Sequence, residues 1–287
     1  MLRDFWHVTK PGMVLGNLVP VMGSFFLASR GHVDVALFLS TTIGISLLIA
    51  SACVLNNWMD RDLDRIMART RDRVLAAGLM STNAAFLYTS VLGLAGLLLL
   101  LEMDNLLSVA ILLAGFLIYV CVYSLYWKRH SVYAPLIGSL AGAAPPLAAY
   151  CAVTGRFDAG AVILLMIFGL WQIPHFYAIA IYRLDDYTAA AIPVLPVKHG
   201  VPATNRQIIG FIAAFILATM MLTFGGYTGY NFLAAAIVSG LVWLTVAWKA
   251  YNSCGERNWA RNLFVCSIMI NFTLCVMMSI DYTMPAV

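Results

Sequence analysis

The segment Asn56-Asn57-Trp58-Met59-Asp60-Arg61-Asp62-Leu63-Asp64 runs on to Arg73 with nine charged residues between positions 60 and 73, in a chain that has only 17 Lys/Arg and 13 Asp/Glu. Asn56, Asp60 and Asp64 are spaced i, i+4 and i+8, so a 3.6-residue repeat lines one amide and two carboxylates along a single helix face. Oxygen ligands so arranged suit Mg²⁺, which keeps several waters and is commonly shared between one or two carboxylates and substrate phosphates. Asp62 points elsewhere and is not expected to join them. The alternative is a solvated helix end in which Asp and Arg neutralise each other at i,i+4. That alternative does not call for Asn56, which stands at the edge of an apolar run where polar groups are costly and tend to be functional. Arg65, Arg69 and Arg73 form their own i+4 series. They can meet the same phosphate as Asp60 and Asp64 only if the helix ends or bends after Asp64, and such a break is predicted.

A second group follows the same logic. Trp171, His175, Tyr182 and Asp186 lie at offsets that fall within a narrow arc of a helical wheel, so they are expected to face the bundle interior together. At 1.5 Å per residue His175 lies about 16 Å deeper than Asp186, and a molecule touching both must be large. For His175 a hydrogen bond to a neighbouring helix is the competing reading, and metal ligation is the lesser one.

These residues need a membrane scaffold. Only 10% of the chain is charged and 62% is hydrophobic, whereas soluble domains carry about 25% charge. That balance excludes a disordered chain, a nucleic-acid-binding domain and most water-soluble enzymes, and leaves an all-α polytopic protein in the lipid bilayer. Residues 11–29, 35–59, 74–101, 105–127, 131–155, 159–182 and 262–280 are free of Asp, Glu, Lys and Arg. The run 207–248 is about twice the length one span needs and is divided by the turn-rich residues 225–231. Nine transmembrane helices in one domain over 1–287 are therefore expected. The first apolar run shows no persuasive cleavage site and is read as a retained helix. The six cysteines are read as small buried hydrophobes, Gly12/Gly16 and Gly138/Gly142 as helix-packing pairs, and Pro145-Pro146 as an interruption that permits a kink in span five.

Nine spans place alternate connections on one side, and fifteen of the 17 Lys/Arg then share a side, with only Arg30 and Arg156 opposite. This bias predicts a cytoplasmic N-terminus. Spans two and six end on that same side, so both acidic groups lie at one depth, rimmed by basic residues that include Lys128 and Arg129. Binding a diphosphate through Mg²⁺ at the mouth of an apolar cavity requires such an arrangement. A transporter could also hold a cation or proton on intramembrane carboxylates. It would more often place them near mid-membrane in broken, repeated helices, and no internal repeat is evident here.

The pattern NxxxDxxxD at Asn56/Asp60/Asp64, followed by DRxxxRTRxR from Asp64 to Arg73, resembles the UbiA superfamily of intramembrane prenyltransferases. VTKPG at 8–12, YSLYWKRHS at 123–131, GSLAGAAPP at 138–146, WQIPHF at 171–176 and DYTAAAIPVLP at 186–196 are similar to its heme-modifying branch. The resemblance implies an enzyme of the bacterial inner membrane that joins farnesyl diphosphate to the 2-vinyl group of heme B. Heme B is then a substrate, and the product, heme O, serves a terminal oxidase, with a downstream heme-modifying enzyme as a possible partner. The resemblance also implies that Asn56, Asp60, Asp64 and Asp186 hold Mg²⁺, and that Arg65, Arg69, Arg73, Lys128 and Arg129 bind the diphosphate. Trp171, His175, Tyr123 and Tyr182 would contact the heme or prenyl chain. Tyr119, Tyr123 and Tyr126 could solvate carbocations, the alternative being simple interface anchors. The second acidic motif departs from the superfamily's usual DxxxD, because Tyr182 stands four residues before Asp186. Within the superfamily, another aromatic acceptor is the runner-up reading.

Overall fold

The computed structural model describes residues 2–102, 105–252 and 257–283. Among these, nine helices are long and apolar enough to cross a membrane: Pro11–Ser29, Val35–Met59, Thr82–Leu101, Leu106–His130, Ala134–Thr154, Ala159–Tyr182, Leu195–Phe224, Tyr230–Lys249 and Arg257–Ile280. They are spans one to nine below, and the chain is an all-α polytopic membrane protein. Helices are the natural answer of charge-free runs to a solvent that offers the backbone no hydrogen bonds. Side-chain caps start four of them: Asp34 accepts from Leu37 N at 3.0 Å, Ser81 from Ala84 N at 3.2 Å, Asn105 from Ser108 N at 3.1 Å and Asp158 from Ala161 N at 3.1 Å. Each satisfies an amide that the first helical turn leaves unpaired.

Span five, built largely of Ala, Gly and Pro, is the most buried of the nine and packs against spans one, four and six. Its backbone stays helical through Pro145-Pro146. Span nine packs on spans six and eight and closes back on span one, so the helices enclose a space beside their packed hydrophobic core. Close approach decides two glycines. A Cβ on Gly96 would lie 2.8 Å from the Gly44 carbonyl oxygen, and one on Gly23 would lie 2.7 Å from Cys275 Cβ.

Several expectations move. Span three begins at Thr82, not near position 74, because Val74 and Leu75 fold into turns and bury themselves against Val8, Val54 and Ala85. Span seven starts at Leu195, well before 207, and bends at Gly200, whose backbone (φ 80°, ψ 165°) is not helical. Gly12 and Gly16 do not serve as a packing pair: nothing lies within 4 Å of a Cβ built on either, and both line the enclosed space. Cys53, Cys151 and Cys275 are buried as expected, but Cys121 is exposed and Cys266 half-exposed. A thiol gains little by facing inward where lipid is as apolar as the core. Cys254, part of the connection between spans three and four, and part of that between eight and nine lie outside the described residues.

Candidate active site

A cavity of about 660 Å³ opens among the helices. Its polar end is built from the end of span two. The span two helix stops at Asp60 (φ −90°, ψ 0°), a short helix Arg61–Ile66 follows, and Met67 turns extended (φ −80°, ψ 124°). The predicted break is therefore present, with a first bend at Asp60 and the end just past Asp64. Asn56, Asp60 and Asp64 are all buried, at 4%, 0% and 1% exposure, and all line the cavity.

Each of the three faces its own cation. Lys10 Nζ donates to Asn56 Oδ1 at 2.5 Å, Lys128 pairs with Asp60 Oδ2, and Arg73 reaches both Asp64 oxygens at 2.9 and 3.0 Å. The chain returns far enough for Arg73 because Thr70 Oγ1 donates to the Asp64 carbonyl and Arg73 N to the Thr70 carbonyl. Lys10 sits in left-handed backbone (φ 53°, ψ 63°) at the start of span one, a conformation that an L-residue adopts at some cost. Asn57 anchors that turn by donating to the Val8 carbonyl at 2.7 Å. Burial pushes the Lys10 ammonium down to about 8, with Arg73 acting in the same direction.

Asp60 Oδ1 is buried with no hydrogen-bond partner. An unsatisfied carboxylate oxygen beside a second carboxylate and an amide is what an absent hard cation would leave behind. Among the described residues no three His, Cys, Asp or Glu side chains converge on one point. A Mg²⁺ held by Asp60, Asp64 and Asn56 would thus complete its shell with substrate oxygens and water, as that ion commonly does.

The wall beside the cations comes from span four, where residues Ile118–Trp127 adopt a π-helix, a feature frequent at functional sites. It brings Tyr119 and Tyr123 into the cavity as a stacked pair, centroids 5.8 Å apart, and sets Ser124 Oγ 3.2 Å from Asn56 Nδ2. Tyr126 instead lies exposed and stacks on His130.

Farther in, the lining turns apolar. Trp171 and His175 both face the cavity from span six, stacked at 4.8 Å, with Phe264 4.8 Å from the imidazole. His175 stands seven residues inside the end of its helix, or about 10 Å.

Four expected participants lie elsewhere. Arg65 Nε donates to the Ala76 carbonyl at 2.9 Å and stays outside the cavity, since the short helix turns it toward the returning loop. Arg69 does line the cavity. Arg129 grips Asp62 at 2.7 and 2.8 Å and the Met59 carbonyl, outside the cavity, and its hydrogen bonds hold the Asp62 carboxyl down to about 2. The span six helix ends at Tyr182, and Arg183 (φ −111°, ψ 31°) re-aims the next turn. The straight-helix arc therefore fails beyond that point, where Asp186 is left out of the lining and Tyr187 enters it; Tyr182, the last helical residue, is outside the lining as well. Asp185 pairs with Arg257 at 2.5 Å.

The model of the UbiA prenyltransferase family matches residues 17–269. This chain belongs to that family. Curated relatives include a protoheme IX farnesyltransferase of Yersinia pseudotuberculosis serotype O:1b, 54% identical over 98% of this chain and 96% of the relative. Another, from Photorhabdus laumondii subsp. laumondii, is 52% identical over 100% of this chain and 97% of its own. Solved structures of similar fold include a digeranylgeranylglyceryl phosphate synthase (TM-score 0.80, 15% identity, 98% of each chain). A UbiA homologue from Archaeoglobus fulgidus bound to GPP and Mg²⁺ (TM-score 0.67, 15% identity) covers 96% of this chain and 100% of that one. Membership in a prenyltransferase family, with the acidic stripe at one end of the cavity, removes the ground for the transporter reading.

Sequence reasoning missed Lys10, Tyr187, Gln172, Phe264 and Asn271 as cavity residues. Lys10 carried a usable signal, a cation immediately before the first apolar run. The others look like ordinary span residues, and only tertiary packing assigns them a face.

Proposed function

We propose that this chain transfers the farnesyl group of farnesyl diphosphate to the 2-vinyl group of heme B, with addition of water, giving heme O and diphosphate. The observation that carries the reading is that one cavity joins a buried, cation-ringed Asn56/Asp60/Asp64 stripe to a largely apolar interior lined by Trp171 and His175. The names of the full-length relatives supply the acceptor.

Asn56, Asp60 and Asp64 would hold Mg²⁺, as the A. fulgidus homologue solved with GPP and Mg²⁺ supports. That ion, when bound, neutralises the diphosphate oxygens and eases departure of the leaving group. Lys10, Arg69, Arg73 and Lys128 surround the same point and stabilise negative charge as it develops on the diphosphate when the allylic C–O bond breaks. The amide and carboxylate partners of Lys10, Arg73 and Lys128 keep these three oriented before substrate arrives. The prenyl chain lies along the apolar wall, where bulk water is excluded from the cation. The stacked faces of Tyr119 and Tyr123 are placed to favour that positive charge. The vinyl group supplies the electron pair for the new C–C bond, water adds to the resulting cation, and one proton is released.

The same reading places the chain in a bacterial inner membrane with the acidic end toward the cytoplasm, since fifteen of the 17 Lys/Arg fall on that side. Its product would pass to a heme-modifying enzyme or a terminal oxidase under assembly. The test is incubation of purified membranes with heme B, farnesyl diphosphate and Mg²⁺, with detection of hydroxyethylfarnesyl heme by mass spectrometry. Product lost in Asp60→Ala and in EDTA supports the reading. Transfer to another aromatic acceptor and none to heme overturns it.

A further inference from the structure

The imidazole of His175 is held by a chain of contacts that the transfer reaction itself does not require. Its Nδ1 lies 2.7 Å from Ser267 Oγ on span nine. Ser267 Oγ donates its single proton to the Phe264 carbonyl at 2.5 Å, the usual bond of a helical serine to an upstream carbonyl. The oxygen can then only accept from the ring, so Nδ1 carries the hydrogen and Nε2 is left with a free lone pair. Span nine holds the neighbouring ring as well: Trp171 Nε1 donates to the Ser267 carbonyl at 2.9 Å. Trp171 stacks on the imidazole and Phe264 packs against it, which fixes the plane of the ring.

Among the described residues Nε2 has no hydrogen-bond partner, yet it is not among the sealed, unsatisfied polar atoms, so it opens on the cavity. His175 is also the one histidine in the cavity lining. An imidazole whose Nδ1–H is engaged and whose Nε2 is bare is the form that ligates iron, and a hydrogen bond to the far nitrogen orients such ligands and raises their basicity.

We propose that His175 Nε2 is the axial ligand of the heme iron during the reaction, with Ser267 as the positioning residue that sets its tautomer. This inference rests on heme B being the acceptor. It gives the porphyrin a fixed anchor about 10 Å inside the end of span six, from which a ring edge can reach toward the acidic end where the allylic cation forms. It also gives a role to the polar pair that links spans six and nine beside the cavity.

The test is titration of the full-length protein in nanodiscs with ferric heme B, without prenyl diphosphate, read by Soret absorption and electron paramagnetic resonance. The wild type is expected to show a nitrogen-ligated iron. His175→Ala should lose that signature and bind heme at least about 10-fold more weakly, and His175→Gly should regain the signature on addition of imidazole. Ser267→Ala should keep it with affinity reduced about 10-fold. Farnesyl diphosphate binding, measured in parallel by calorimetry with Mg²⁺, checks that each variant is folded. An unchanged heme spectrum in a folded His175→Ala variant overturns the inference and leaves the proposed function standing. If the wild type binds no heme and prenylates another acceptor, the proposed function fails and the inference with it.

Discussion

Lys128→Met isolates the electrostatics of the acidic stripe. The Lys128 side chain is 18% exposed, and that of its partner Asp60 is buried. The substitution removes the partner of Asp60 Oδ2 while Oδ1 already has none. Leaving a carboxylate buried without compensation costs roughly 3–5 kcal/mol, and the partial exposure of the ammonium discounts this to ~2 kcal/mol. Asp60→Asn in the same background removes the charge with almost no change of shape, so the double variant should recover most of the loss, a coupling of ~1–2 kcal/mol. Unfolding by SDS in mixed micelles, followed by tryptophan fluorescence, measures all four members of the cycle. Mg²⁺ adds a second arm. At about 100 times its Kd it should stabilise Lys128→Met by ~2.7 kcal/mol and leave the double variant unmoved. A Lys128→Met variant as stable as the parent, or a double variant no better than the single, would refute the argument that Lys128 compensates the buried Asp60 carboxylate.

Three further outcomes follow from the same geometry. Arg73→Ala should raise KM for the prenyl diphosphate and lower kcat by about 10-fold or more, whereas Arg65→Ala should cost only ~1 kcal/mol of stability, because Arg65 bonds a loop carbonyl outside the cavity; steady-state kinetics beside SDS unfolding separates the two. Gly16→Ala should stabilise by ~0.5–1 kcal/mol, since a methyl there meets open space inside a helix, while Gly23→Ala should destabilise because its Cβ would strike Cys275; SDS unfolding of both reads the sign. Replacing Tyr119 and Tyr123 together by Leu should lower kcat by about 10-fold with little change in KM, the loss expected of roughly 1–2 kcal/mol of cation–π stabilisation, and single-turnover product formation measures it.

The composition and the charge-free runs determined that the chain is an all-α membrane protein, with nine spans among the described residues, because each lipid-crossing segment must meet the cost of the bilayer by itself and so announces itself locally. NxxxDxxxD was legible for the same reason: Asn56, Asp60 and Asp64 share a face through helical periodicity over two turns, and the short helix after the Asp60 bend preserves it. Periodicity lost its power where the helix stopped. Trp171 and His175, inside span six, lie on the predicted face, but beyond Tyr182 the turn at Arg183 gives the cavity Tyr187 in place of Asp186.

What the tertiary structure alone decided are the partners. Lys10 meets Asn56 across 46 residues, Lys128 meets Asp60 across 68, and Ser267 meets His175 across 92. Which of two adjacent cations faces the site is equally a matter of packing: Lys128 turns inward and Arg129 outward, at the end of a π-helix that no pattern of residue types in this chain marks. A bilayer span reads the same on every apolar face. Its orientation is settled by the neighbours it packs against, so the sequence could name the family and the spans, while the packing of one helix on another selected the residues that line the cavity.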